Sequence, residues 1–333
     1  MSILQSGSNL TRRHALKLGA GMTGGMIAAA TLAERWAFAQ GELPAPDHHR
    51  RPGTFNTAPP PDVQHEIESI VEAPGTVSNG VLSININRTD ITGVTVHGVP
   101  VTPEFLLNGT LVFQRLQGNQ VMMNADMALR AKELDPFISA MIQNNIVFQA
   151  EHQHLYDLQP LVWFTHFRMK GRPDTVARAV KAALNVTSTP FPQTASKHPT
   201  TPLPAQEIGQ ILGAKPSIMA NGVIQYQIPR AESMMLGGAH INPYLNVESP
   251  VVFQPLHGGK MAAAVPDFGM IAPEINNVVG TMRRLGWDIG CLYNQETDEY
   301  PQLYFSHNFK TGNPIQLAHE IRQGFSHMNV KMM

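Results

Sequence analysis

From residue 63 onward the apolar positions follow two rhythms. Between 133 and 144 they recur at Leu134, Phe137, Ile138, Met141 and Ile142, the spacing of one helix face. Asp135-Pro136 falls in the first turn of that predicted helix, where proline is tolerated. Similar patterns predict helices over 63–72, 174–184, 205–212 and 315–325. Alternating or β-branched stretches predict strands over 81–87, 93–99, 120–129 and 222–228. Two apolar runs, 146–156 and 161–169, read as the arms of a hairpin with its turn near Leu158.

The same rhythm is written twice. Glu133-Leu134-Asp135-Pro136-Phe137 aligns with Glu274-Ile275-Asn276-Asn277-Val278, a shift from 133 to 274, or 141 residues. That shift also aligns Phe164-Thr165-His166 with Phe305-Ser306-His307, and Asp126 with Asp267. A slip of one residue either way aligns Phe113-Gln114 with Phe253-Gln254 and Asn79-Gly80 with Asn221-Gly222. A near-constant shift over a hundred residues signals an internal duplication. The boundaries follow: a first repeat over 63–190, a Pro-, Ser- and Thr-rich linker over 191–203, and a second repeat over 204–333. Mixed helices and strands joined by short turns predict an α+β fold with mainly antiparallel sheets. Its two divergent tandem copies would be related by a pseudo-twofold axis.

The first 39 residues follow a different grammar. Thr11-Arg12-Arg13-His14-Ala15-Leu16-Lys17 has the twin-arginine export pattern. A glycine-broken apolar run follows over 18–32, and Ala37-Phe38-Ala39 offers a cleavage site. Residues 1–39 therefore read as a twin-arginine signal peptide and 40–62 as a Pro-rich lead-in. The expected partner during export is the twin-arginine translocation machinery, and the expected location is the periplasm or the cell exterior. The apolar run falls short of the roughly 20 residues a membrane span needs, so no span is expected in the mature chain.

Composition narrows the chemistry. The 24 Lys+Arg and 25 Asp+Glu leave a net charge of -1, without the basic excess of a nucleic-acid binder. A single cysteine, Cys291, excludes an intramolecular disulfide and multi-cysteine metal sites, which leaves the 14 histidines as the candidate metal ligands.

The most informative cluster is Glu151-His152-Gln153-His154 with His166 on the opposite arm. Alternation puts His152 and His154 on one face. In the predicted register, residue 152 faces 164 and 150 faces 166, so His166 lies diagonal to His152 on that face. A one-residue slip would reverse it. Three neutral imidazoles with an open fourth position are the donor set of a catalytic metal site, with zinc, copper or iron as candidate ions. Glu133 and Asp126 are candidates for an outer-shell or general-base role, whereas Glu151 points to the other face. The competing reading is that these histidines are hydrogen-bonded polar residues of a sheet. In the second copy Tyr293, Gln295 and Cys291 replace His152, His154 and Ala150, and only His307 persists, facing Cys291. That pair could ligate metal or form a reactive thiolate, or Cys291 could be a small buried hydrophobe.

Several short motifs recur in order: Arg88-Thr89-Asp90, Phe113-Gln114, Asp126, Glu133 with Pro136, His152-Gln153-His154, Pro160 and Phe164-Thr165-His166. The second copy keeps Phe253-Gln254, Asp267, Glu274, Pro301 and Phe305-Ser306-His307. In this the chain resembles the LppY/LpqO family of bacterial exported proteins, a duplicated domain of unknown function, over nearly the whole mature length. That family typically carries H-x-H followed by F-x-H; this chain departs from it by losing H-x-H in the second copy, and it lacks a lipoprotein cysteine. The resemblance implies fold and export and no established activity. The reading that follows is an exported, soluble protein with a single histidine metal site on the first repeat; if it is an enzyme, it is a metal-dependent hydrolase or a redox enzyme. The alternative is a non-catalytic module holding a small molecule or cell-envelope ligand between its halves.

Overall fold

A computed structural model describes residues 57–195 and 198–332, all within one compact unit, Pro52–Met333. The predicted signal peptide, residues 1–39, and most of the predicted lead-in lie outside the described residues. The first copy runs α1 (Pro61–Val71), β1 (Gly75–Ser78), β2 (Val81–Asn87), β3 (Thr95–Val96), β4 (Val99–Pro100), α2 (Pro103–Leu106), β5 (Asn108–Leu116) and β6 (Gln120–Leu129). It continues through α3 (Ala131–Gln143), β7 (Val147–His152), β8 (Leu158–Gln159), β9 (Trp163–Gly171) and α4 (Pro173–Leu184). The second copy runs α5 (Ala205–Leu212), β10 (Ser217–Ile218), β11 (Ile224–Ile228), β12 (Met234–Leu236), β13 (Ala239–Ile241), β14 (Ser249–Leu256) and β15 (Met261–Met270). It closes with α6 (Ile275–Arg284), β16 (Asp288–Ile289), β17 (Glu299–Tyr300), β18 (Tyr304–Gly312) and α7 (Pro314–Phe325).

Each copy builds a six-stranded antiparallel sheet, in the orders β1-β2-β5-β6-β9-β7 and β10-β11-β14-β15-β18-β16. The fold is the expected α+β duplication. Alternation explains the layers. On β6, Val121, Met123, Ala125, Met127 and Leu129 join a core with α1, α3 and α4, whose Phe137 and Val180 are fully buried there. The intervening Met122, Asn124, Asp126 and Ala128 point to the other face. The second copy repeats this, with Ala262, Ala264, Phe268 and Met270 packed under α5, α6 and α7. The two remaining faces cover each other. One shared cluster joins Phe105, Leu158 and Phe164 to Val223, Ala263 and Val265; another joins Val81, Val112 and Met122 to Met234, Leu236 and Phe305.

The recurring motifs now have physical roles. Gln114 donates to the His240 carbonyl (3.1 Å) and accepts from the Asn242 amide (2.7 Å). Reciprocally, Gln254 donates to the Pro100 carbonyl (2.8 Å) and accepts from the Thr102 amide (2.9 Å). Each copy thus grips a loop of the other. Arg88 donates from Nη2 to both oxygens of Glu133 at 2.9 and 2.8 Å, and Arg230 donates from Nη1 and Nη2 to the two oxygens of Glu274 at 2.7 and 3.0 Å.

Three expectations shift. The strand predicted over 93–99 shrinks to β3 and β4, because His97 and Gly98 both take positive φ and turn the chain there. The helix predicted from 133 begins at Ala131, since the Glu133 carboxylate accepts from the Arg130 amide (2.9 Å) and caps an earlier start. Pro136 therefore falls in its second turn. The arm predicted over 146–156 ends at His152, and Leu158–Gln159 joins β3 in a separate small sheet.

Replacing Gln254 by Ala removes the partner of the half-buried Thr102 amide and of the Pro100 carbonyl at the seam between the copies. We expect a loss of about 1–3 kcal/mol in urea unfolding, with Gln114→Ala costing a similar amount.

Candidate metal centre

The hairpin arms meet in the register expected from the sequence. Ala150 pairs with His166 and His152 with Phe164, so His152 and His166 are diagonal neighbours on the face turned to the other copy. A bulge between Phe148 and Ala150 re-aims the arm without reversing it. His154 arrives differently: it lies past the end of β7, its ring stacked on Phe164 at 3.3 Å between centroids. The His152 ring is 5.0 Å from each of the other two. Each of the three offers a nitrogen within 4.8 Å of those offered by the other two, the one such group of three potential ligands among the described residues.

The polar accounting is what marks the cluster. Both ring nitrogens of His152, both of His166 and Nδ1 of His154 are buried without a hydrogen-bond partner. His154 is 8 % exposed and His166 3 %. A structural histidine in a sheet would be hydrogen-bonded, because leaving a buried polar atom unpaired costs about 1–3 kcal/mol. Burial pushes His152 down to about 3. It holds His154 and His166 well below the usual imidazole range too, with the neighbouring imidazoles adding to the effect. All three rings are therefore neutral near pH 7, the form that ligates a metal.

The second copy forms the other wall. Tyr293, at the position of His152, stacks on the His152 ring at 3.5 Å, and His307 stacks on His154 at 3.7 Å. His307 Nδ1 is 3.3 Å from Cys291 Sγ, and its Nε2 is 3.4 Å from Asp267 Oδ2. Cys291 and His307 therefore face each other, as the duplication requires. Burial, with Asp267 nearby, pushes the Cys291 thiol up, which argues against a resting thiolate. A side chain at Gly290 would press on the His154 carbonyl oxygen, Leu155 Cδ2 (2.8 Å) and Leu155 Cα (2.9 Å). The loop carrying His154 thus rests on bare backbone of the second copy.

Asp126 pairs with His166 across β6 and β9, and both line a cavity of about 200 Å³ between the copies. His154, His307, Asp267, Glu248 and Tyr293 line it too. Burial pushes Asp126 up to about 7, against hydrogen bonds from the Thr110 amide and the Asn246 side chain. Burial likewise raises Glu248 to about 7 and Asp267 well above the carboxylate range, with Asp126 adding repulsion at both.

Glu133 stands elsewhere, which corrects its expected role at the site. Its carboxylate is occupied by Arg88, the Arg130 amide and the Ser188 amide (2.9 Å). Although burial pushes it up, those partners hold it below the usual range. It is a structural anchor at the start of α3. Glu248, Asp267 and Tyr293 are cavity residues that sequence reasoning left unassigned. The shift of 141 points to Asp267 and Tyr293 through Asp126 and His152, whereas nothing in the sequence singles out Glu248.

Fold and site together define a duplicated α+β protein with one histidine cluster enclosed between its copies. The family described as Domain of Unknown Function (DUF1259) matches residues 65–186 and again 206–327, and the chain belongs to it. The two matches start 141 residues apart, the shift seen within the sequence. No curated protein matches the chain. Among solved structures, one described as "Crystal structure of EtuB from Clostridium kluyveri" is similar at 10% identity, covering 79% of this chain and 96% of that one. Its TM-score is 0.18, too low to carry an argument.

Two outcomes are expected. Gly290→Ala should destabilise the protein by roughly 1–3 kcal/mol in urea, because backbone atoms of the facing loop must move. In chelator-treated protein, Asp126→Asn should become more stable relative to the native chain as pH rises from about 4 to about 7, by roughly a few kcal/mol at the plateau. The sign follows from a folded pKa near 7 against 3.8 for the free group: the native chain binds the extra proton only when folded and loses that advantage over this range. Urea midpoints across pH decide it.

Proposed function

We propose that the protein holds one transition-metal ion on His152, His154 and His166, as an exported protein whose finer kinship is to the LppY/LpqO proteins. The five unpartnered ring nitrogens carry this reading. Zinc, copper and iron all suit an all-imidazole donor set. Three protein ligands leave a coordination position for a substrate or water, and the cavity beside His154 and His166 gives it somewhere to open.

The favoured chemistry is hydrolytic. A bound ion supplies Lewis acidity to a water or a carbonyl oxygen. Asp126, directly across from His166 and with its pKa near 7, is matched to taking up and returning a proton at neutral pH. The neutral rings of His154 and Phe164, stacked face to face, keep the ligand set in place. No lysine or arginine is among the described residues lining the cavity, which favours an uncharged carbonyl centre over a phosphoryl group. A second reading, a binding module without catalysis, draws on the same cavity, since both copies contribute its walls. The export reading rests on the Arg12-Arg13 pattern and the Ala37-Phe38-Ala39 site. Among the described residues, no helix is long and apolar enough to cross a membrane.

Elemental analysis of protein exported from its native host should find about one zinc, copper or iron per chain. The His152→Ala/His154→Ala double variant should weaken that ion by more than the 10–100-fold typical of outer-shell changes. Removing the ion with a chelator should lower stability by about 4 kcal/mol if free metal had stood at about 1,000 times its Kd. Native protein that neither carries nor takes up any of these ions, and whose melting is indifferent to chelator, would refute the proposal.

A further inference from the structure

The cavity between the copies has an unbalanced charge. Asp126, Glu248, Asp267 and Glu104 line it, and no lysine or arginine does among the described residues. Glu104 is engaged by amide groups of Asn87 (3.4 Å) and Asn221 (2.8 Å). Glu248 accepts from Gln227 (3.0 Å) and the Val247 amide (3.1 Å), and its other hydrogen-bond partners are backbone groups, all neutral. Asp267, 4 % exposed, has Oδ2 at 3.4 Å from the neutral His307 ring and the Ser306 backbone beside it, while Oδ1 lacks a hydrogen-bond partner. Carboxyl groups without a facing cation are costly to bury, and proteins that keep them generally do so at binding or catalytic sites. The remaining polar wall is neutral: Thr76, Ser83 and Asn85 from the first copy face Gln225 and Gln227 from the second.

We propose that this cavity binds a small organic ligand carrying a primary ammonium on a hydroxyl-rich body of about monosaccharide size, with Glu248 and Asp267 receiving the ammonium. A bare metal ion fits less well. Among the described residues only the three histidines bring three ligand atoms within 4.8 Å of one another, so the carboxyl groups are too dispersed to cage an ion. An ammonium has three donors to distribute and needs no such convergence. The hydroxyl and amide side chains around it suit a polyhydroxylated body, and the missing cations exclude a phosphorylated or sulfated one. The raised carboxyl pKa of Glu248, caused by burial, fits a pocket that awaits positive charge. The proposal names the ligand of the cavity into which the proposed ion opens. It depends on that reading for what the ligand meets, not for what binds it.

Isothermal titration of the full chain near pH 7 with glucosamine, glucose and glucose 6-phosphate tests it, in metal-loaded protein, chelated protein and the His152→Ala/His154→Ala variant. We expect glucosamine to bind at least tenfold more tightly than glucose, with no heat from the phosphate ester. Glu248→Gln and Asp267→Asn should each erase that preference, and Glu248→Gln should leave metal content unchanged. Should either variant fail to fold, the three-ligand ranking in the native chain decides alone. Preference retained in chelated protein and in the double-histidine variant upholds the pocket even where the metal reading fails. Equal binding of glucose and glucosamine, a preference for the phosphate ester, or no binding of any probe overturns it.

Discussion

Each copy makes a sheet with helices on one face and nothing of its own to cover the other. That uncovered face is the constraint from which the rest follows. Burying apolar surface is worth about 25 cal/mol per Å², so a sheet bearing Val112, Met122 and Phe164 on its open side needs a partner. The duplicated chain supplies one in the same molecule. Gln114 and Gln254 then fix how the sheets meet, since each satisfies a backbone amide and a carbonyl of the opposite copy. A slide of one sheet against the other would break both pairs at once.

Facing two sheets this way brings their inward polar residues together. Asp126 with His166 and Asp267 with His307 are equivalent pairs, one from each copy, on strands β6/β9 and β15/β18. Divergence then broke the symmetry. The first copy keeps His152 and His154, whereas the second has Tyr293 and Gln295, and Tyr293 has become a lid over the His152 ring. Gln295 turns instead to Glu296 (2.8 Å) and the Asn246 carbonyl (2.6 Å). With Tyr293 and Gln295 at the positions of His152 and His154, the second copy is the wall of a single site. Without Gly290, Tyr293 and His307, the loop bearing His154 would have no surface to rest on.

Electrostatics inside this sandwich runs in two opposed directions. Burial keeps the imidazoles neutral and raises the pKa of the carboxyls of Asp126, Glu248 and Asp267. Neutral donors facing reluctant acids suit a site whose positive charge arrives with its ligands. The Arg88–Glu133 and Arg230–Glu274 pairs show the contrast. There, guanidinium meets carboxylate, the remaining donors go to Asp90 and the Ala128 carbonyl or to Glu232 and the Gly269 carbonyl, and the pairs hold α3 and the equivalent segment before α6 in place.

Much of this was legible in the order of residues. The shift of 141 announced the duplication, and period-two alternation on 81–87 and 120–129 gave β2 and β6 to the residue. The hairpin register, and with it the shared face of His152 and His166, followed from counting. Motif order alone could not separate a site residue from a structural one. Glu133 and Asp126 both sit in recurring motifs, yet one closes on Arg88 and the other lines the cavity. That difference depends on which side of β6 each chain segment passes, a matter of packing. The strand around 93–99 failed because His97 and Gly98 turn with positive φ, which alternation does not reveal. Local periodicity fixes elements and faces, because it depends on neighbours a few residues apart. Glu248, the stacking of Tyr293 on His152 and the unpaired oxygen of Asp267 came only from the tertiary structure, because each depends on groups brought together from opposite copies of the chain.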